Sequence, residues 1–176
     1  MDKVLITGGM GFIGTNLAIA LKNKFDVHCI DNFYKNESIK NITNLDDHKI
    51  KNTKLDITNN ENIKKLISEN NFSTVVHLGA QVSMIDSIED PQNDLNTNLI
   101  GTFNLLENIR KYSNQTKFIN ISSNKVYGDL SWDDIEELNS KYSSKNYKYG
   151  YDESTPLQFS GPYGCSKGSA EQYVID

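Results

Sequence analysis

Two cysteines, no excess of basic residues and no long apolar run set the first limits on this 176-residue chain. Cys29 and Cys165 lack the spacing of a metal-ligand pair and are too few for a secretory disulfide framework. The expectation is therefore a reduced cytoplasmic protein with no metal site. A net charge of −5 and a pI near 5.2 leave no electrostatic footprint for nucleic acid. Lysine-rich stretches such as Lys49-Ile50-Lys51 and Lys64-Lys65 alternate with acids and read as solvated faces. Nothing approaches the roughly 18 consecutive apolar residues of a membrane span. The N-terminus opens on Val4-Leu5-Ile6, a strand, rather than on the charged region and long apolar stretch of an export signal. No internal repeat is visible. These exclusions leave a soluble single domain, long enough to bury a substantial core.

Short apolar runs alternate with helical patterns. Val4–Thr7, Val27–Asp31, Lys51–Leu55, Thr74–Leu78 and Phe118–Ser122 read as buried strands. Ile13–Lys24, Asn60–Asn70 and Asn96–Tyr112 carry apolar residues at helical spacing, with Leu99, Phe103, Leu106 and Ile109 on one face. Asp90-Pro91 opens the long central helix or its lead-in turn. Alternation of this kind implies an α/β fold, a doubly wound parallel sheet with helices on both faces. Leu130–Lys148, rich in Ser, Asn, Lys, Asp and Tyr, reads as a surface insertion in which Trp132 serves as a loop anchor.

Thr7-Gly8-Gly9-Met10-Gly11-Phe12-Ile13-Gly14 follows the first strand and opens the first helix. Gly9, Gly11 and Gly14 fit Gly-x-Gly-x-x-Gly, while Gly8, Gly11 and Gly14 fit a spacing of three. Such a loop permits a tight turn and close approach of backbone to a pyrophosphate, whose charge meets the N–H groups of the helix start. Asp31 ends the next strand 20 residues after Gly11. Its carboxylate can accept from both ribose hydroxyls and repels a 2′-phosphate, which favours NAD over NADP. Asp56-Ile57 and Gly79-Ala80-Gln81 follow later strands, where a dinucleotide would lie, although a helix N-cap and a tight loop explain them as readily.

Tyr163 alone among the nine tyrosines is followed by Lys four residues on, here Lys167. On a helix the pair shares one face, where the ammonium can stabilise a phenolate and make the tyrosine a usable base. Ser122-Ser123-Asn124-Lys125-Val126-Tyr127-Gly128 follows the fifth strand and can place a hydroxyl beside that phenol.

With these residues the whole chain resembles the extended short-chain dehydrogenase/reductase family, the NAD-dependent epimerases and dehydratases of nucleotide sugars. Further motifs carry the likeness: Asp31-Asn32, Asp56-Ile57, His77-Leu78-Gly79-Ala80-Gln81, and Asn98 with Gly101-Thr102-Phe103-Asn104-Leu105-Leu106-Glu107. The resemblance implies a Rossmann-type three-layer domain over 1–176, incomplete at its C-terminus, with a surface insertion at about 129–150. It implies Ser123, Tyr163 and Lys167 as the catalytic set. It implies contact with NAD through Gly8, Gly11, Phe12, Ile13 and Gly14; through Asp31, Asn32, Asp56 and Ile57; through Leu78, Gly79, Ala80, Gln81 and Asn98; and through Tyr163 and Lys167.

The segments Asn124–Asp129, Gly150–Ser154, Pro162–Gly168 and Gln81–Met84 look like those of CDP-tyvelose (CDP-paratose) 2-epimerases, as does the position of the insertion. Ser123 departs from the Thr often found there, but both carry a hydroxyl. That likeness implies a CDP-linked dideoxyhexose substrate, a role in lipopolysaccharide O-antigen biosynthesis, and epimerisation through a transient keto-sugar. A UDP-sugar 4-epimerase would use the same residues. A 4,6-dehydratase would carry an Asp-Glu pair where this chain has Asn124-Lys125, so dehydration ranks low. Lys167 stands nine residues before the last residue, Asp176. The family continues into further strands and a C-terminal substrate domain, so a truncated, inactive NAD-binding product is the competing expectation. A homo-oligomer through helices such as Asn96–Tyr112 is expected of the full-length form.

Overall fold

The structure is a computed structural model and describes every residue except Trp132, so the expectation for that side chain lies outside the described residues. Five parallel strands form the centre: β1 (Lys3–Thr7), β2 (Asp26–Asp31), β3 (Lys51–Lys54), β4 (Phe72–His77) and β5 (Lys117–Asn120), in the order β3-β2-β1-β4-β5. The order reverses between β1 and β4, so the crevice above their C-terminal ends is the place where such sheets hold ligands. Val4, Leu5 and Ile6 of β1 are all buried, which is why this strand is continuously apolar rather than alternating.

Alternate residues feed two cores. Leu5, Ile30 and Val75 pack against Ile63 and Ile67 of α3 (Asn60–Ser68) and against Leu105 and Ile109 of α6 (Gly101–Tyr112). Val4, Ile6, Cys29 and Val76 pack against Ala18 of α1 (Phe12–Leu21) and Leu45 of α2 (Lys40–Asp47). The doubly wound, three-layer arrangement expected from the sequence is therefore present. α3 begins where Asn59 accepts the N–H of Asn62, an N-cap that supplies one of the helix's orphan donors with a partner. Two short helices, α4 (Met84–Glu89) and α5 (Pro91–Leu95), precede α6. Asp90 caps α5, and Pro91 occupies its first turn, where no N–H is needed. The last helix, α7 (Gly161–Ile175), carries the Tyr-Lys pair.

One expectation needs correction. Asn96–Ile100 is a π turn between α5 and α6, not regular helix. A π turn holds an additional residue, so the apolar stripe before it falls out of phase with the stripe after it. Phe103 is 41% exposed, while Asn98, Gly101, Thr102, Leu105 and Ile109 face inward. The 130–148 segment, read from the sequence as a surface insertion, contains a small antiparallel hairpin, β6 (Ile135–Glu137) with β7 (Tyr142–Ser144). Its residues lie outside both cores, consistent with a surface position.

Candidate active site

The C-terminal ends of the strands converge on a cleft of about 610 Å³. Gly8, Gly11, Phe12, Ile13 and Gly14 form its wall after β1. Phe12 and Ile13 are 84% and 62% exposed because they face this open space rather than either core. Two glycines allow the loop to close. Gly8 has φ +64°, and a Cβ there would lie 2.8 Å from the backbone nitrogen of Gly79; a Cβ on Gly14 would lie 2.4 Å from the carbonyl oxygen of Gly8. The Thr15 hydroxyl pins the turn by donating to the Gly9 carbonyl, and Asn41 of α2 donates to the Met10 carbonyl.

Asp31 and Asn32 enter the cleft from β2, Asp56 and Ile57 from the end of β3, and Leu78, Gly79, Ala80 and Gln81 from β4. Burial pushes the Asp31 carboxyl up, against the opposing effect of the Phe33 and Met10 N–H groups that donate to its two oxygens. Burial also acts to raise Asp56, but hydrogen bonds from Asn32 and Thr58 win and hold it below the usual carboxylate range. Tyr163 and Lys167 line the far side of the cleft. The Lys167 side chain is 6% exposed and donates to the Ile121 carbonyl at 2.7 Å. Burial lowers its pKa, while Asp94 and Glu171 act to raise it.

Two of the residues expected at the site stand apart from its lining. Ser123 sits just beyond β5 and its Oγ accepts the N–H of Lys125, capping a 3₁₀ turn over Asn124–Tyr127. Asn98 lies below the floor, 2% exposed. Its side chain accepts from Gln81 N–H and donates toward the Gln81 carbonyl, Asp94 Oδ1 and Ser166 Oγ.

Sequence reasoning missed several residues that the fold brings in. Ser122 lines the cleft and donates to Glu171 of α7 in a short hydrogen bond. Tyr34, Lys35 and Ser38 reach it from the connection after β2, and Asn96 and Thr97 from the π turn. The spacing of Glu171 four residues after Lys167 was the one available signal, since it places both on one helix face. Among the described residues no group of three or more His, Cys, Asp or Glu could hold a metal.

Comparison with known proteins places the fold and the family. The chain is 41% identical over 178 residues to the CDP-paratose 2-epimerase of Salmonella typhi, covering 99% of this chain and 52% of that protein. It is 32% identical over 175 residues to the dTDP-glucose 4,6-dehydratase of Mycobacterium tuberculosis, covering 98% and 47%. The fold superposes on the Bifidobacterium longum UDP-glucose 4-epimerase, solved in complex with NAD⁺ and UDP, with a TM-score of 0.78 at 28% identity, covering 99% of this chain and 48% of that one. The chain thus spans about half the length of the relatives it matches. The family model described as GDP-mannose 4,6 dehydratase matches residues 5–176, and the chain accordingly belongs to this family of NAD-dependent nucleotide-sugar epimerases and dehydratases within the extended short-chain dehydrogenases/reductases.

Proposed function

We propose that this chain is the cofactor-binding part of a cytoplasmic nucleotide-sugar epimerase, with 2-epimerisation of CDP-paratose to CDP-tyvelose the favoured reaction and NAD the cofactor. The observation that carries the reading is the meeting of the Gly loop, Asp31, Tyr163 and Lys167 in one cleft. The donor set suits a dinucleotide. The start of α1 offers free N–H groups to a pyrophosphate. Among the described residues Asp31 takes only backbone N–H donors, which leaves acceptor capacity for ribose hydroxyls. Asp56 and Ile57 would border the adenine, Leu78–Gln81 would form the floor, and Tyr163 and Lys167 would hold the nicotinamide ribose.

When bound, NAD⁺ supplies reversible hydride acceptance at the carbon bearing the reacting hydroxyl. The protein's part is proton transfer and positioning. Tyr163 takes the hydroxyl proton as base and returns it as acid once the sugar has presented its other face. The buried Lys167 ammonium, one helical turn along α7, offsets the negative charge left on the phenol oxygen. The Ser123 hydroxyl hydrogen-bonds the same substrate oxygen; accepting the Lys125 N–H leaves its own proton free to donate. Asn124-Lys125 supplies no carboxylate pair for elimination of water, so epimerisation is preferred to dehydration. The exposed Phe103 and Tyr173 rings meet edge to face on α6 and α7, and this apolar face pairs with a second copy of the chain.

The cofactor claim is tested by releasing bound nucleotide with acid and reading its absorbance. A chain that is empty and also fails to bind added NAD overturns it. The reaction is tested with CDP-paratose: conversion that Tyr163→Phe removes supports the 2-epimerase, whereas inversion of a UDP-hexose at C4 supports the 4-epimerase reading.

A further inference from the structure

Beneath the cleft runs a chain of hydrogen bonds whose direction can be assigned. Thr7, at the end of β1, accepts the Gly79 N–H at 3.0 Å, and its Oγ1 lies 2.6 Å from His77 Nδ1. His77 Nε2 lies 2.9 Å from Thr102 Oγ1, which is 2.6 Å from the carbonyl oxygen of Asn98 in the π turn. A carbonyl only accepts, so the single hydroxyl proton of Thr102 points to Asn98. Thr102 must then accept from Nε2–H, and the bare Nδ1 must accept the Thr7 proton. The reverse sense would take the Thr102 proton away from Asn98. Among the described residues it would also leave the Thr7 proton, on a side chain with no solvent exposure, without an acceptor.

We propose that His77, as the neutral Nε2–H tautomer, is a positioning residue that couples the π turn carrying Asn98 to Gly79 and, through it, to the Gly loop. Neither His77 nor Thr102 lines the cleft, so the effect is exerted through the backbone. Gly79 is the element moved: its backbone packs so closely on Gly8 that a methyl group could not fit between them. The opposite end of the chain reaches Asn98, whose side chain clasps the backbone of Gln81 on both its N–H and its carbonyl. The floor of the cleft from Gly79 to Gln81 is thus held at both ends by one continuous network. Burial, assisted by the Lys167 charge, pushes the His77 pKa down to about 3, so the ring stays neutral at physiological pH. The consequence for cofactor binding rests on the dinucleotide reading of the cleft; the coupling itself does not.

Two measurements on the full chain test this. Long-range ¹H–¹⁵N spectra of the three histidines, assigned with His28→Gln and His48→Gln, should show for His77 a pyridine-like Nδ1 and a pyrrole-like Nε2 that do not change between about pH 5 and 8. A protonated Nδ1, or a ring that titrates in that range, overturns the assignment. Amide exchange of Gly79 should accelerate by about tenfold in Thr102→Val, the loss of one hydrogen bond relayed along the chain. Thr102→Ser, which keeps the hydroxyl, should restore protection. Unchanged Gly79 exchange in a folded Thr102→Val overturns the coupling. If Thr102→Val does not fold, the tautomer of the unsubstituted protein still decides. Failure of the cofactor reading shows separately, as absence of NAD binding by the unsubstituted chain, and leaves both readouts standing.

Discussion

Gly14→Ala should damage both stability and cofactor binding, and the structure indicates by how much. The new methyl carbon would stand 2.4 Å from the Gly8 carbonyl oxygen and 2.7 Å from Gly9 Cα. Both are backbone atoms of the turn, so no rotamer change relieves the overlap. Alanine gains up to about 1 kcal/mol over glycine within a helix. Forcing a methyl into a filled space costs about 1–3 kcal/mol, and rigid backbone neighbours place this case toward the upper end. The net loss is about 1–2 kcal/mol, which in a domain of this size lowers the melting temperature by roughly 3–6 °C. Relief by displacement of the Gly8–Gly9 turn also misplaces the N–H groups offered to the pyrophosphate, so NAD affinity should fall by at least about tenfold. Gly11→Ala is the control, because among the described residues its methyl would meet Gly8 O alone, at 3.2 Å. It should cost less than about 1 kcal/mol, mainly through the changed N-cap. Thermal unfolding and titration calorimetry with NAD read both effects. If Gly14→Ala melts with the unsubstituted chain and binds NAD within about twofold of it, the steric reasoning is wrong.

Three further outcomes are expected. Burial lowers His28 to about 4, with Lys51 adding to the effect, and burial lowers His77 to about 3. The unfolded chain therefore takes up these protons first: the histidine contribution is complete above about pH 6.5 and is lost as pH falls through about 4 for His28 and about 3 for His77, with a slope approaching about 3 kcal/mol per pH unit where both are taken up by the unfolded chain alone; a urea midpoint that stays constant from about pH 6.5 to 4.5 would contradict this. Ser122→Ala removes the donor to Glu171 and should lower stability by about 1–2 kcal/mol in urea unfolding, and a change within error would show that the contact is dispensable. Phe103→Lys places a charge on the exposed α6–α7 face and should shift sedimentation toward monomer without loss of helical circular dichroism, whereas an unaltered oligomeric state, or a monomeric starting protein, refutes pairing through that face.

Much of the cleft's lining was legible because its signals are local. A glycine turn between a strand and a helix, with an acid at the end of the next strand, leaves its signature within about thirty residues. The same locality exposed Tyr163 and Lys167, since one helical turn suffices to align them. Periodicity was less reliable in α6. The π turn at Asn96–Ile100 shifts the phase of the stripe, and buried asparagines occupy positions that apolar counting assigns to solvent. Asn104 bonds the Ile57 carbonyl and Asn108 the Asn60 side chain, partners 47 and 48 residues away. The hairpin at Ile135–Ser144 escaped notice because its strands are only three residues each and bury no apolar face.

By itself, then, the sequence determined the alternation of strands and helices, the glycine-rich loop and the Tyr-Lys pair, because each depends on neighbours within one or two turns of chain. Only the tertiary structure decided that Thr7, His77, Thr102 and Asn98 join beneath the floor of the cleft. Thr7 and Thr102 stand 70 and 25 residues from the imidazole they flank, and the tautomer linking them follows from which buried oxygen has a proton to give. Hydrogen-bond direction belongs to the assembled network, and no single segment of the chain contains it.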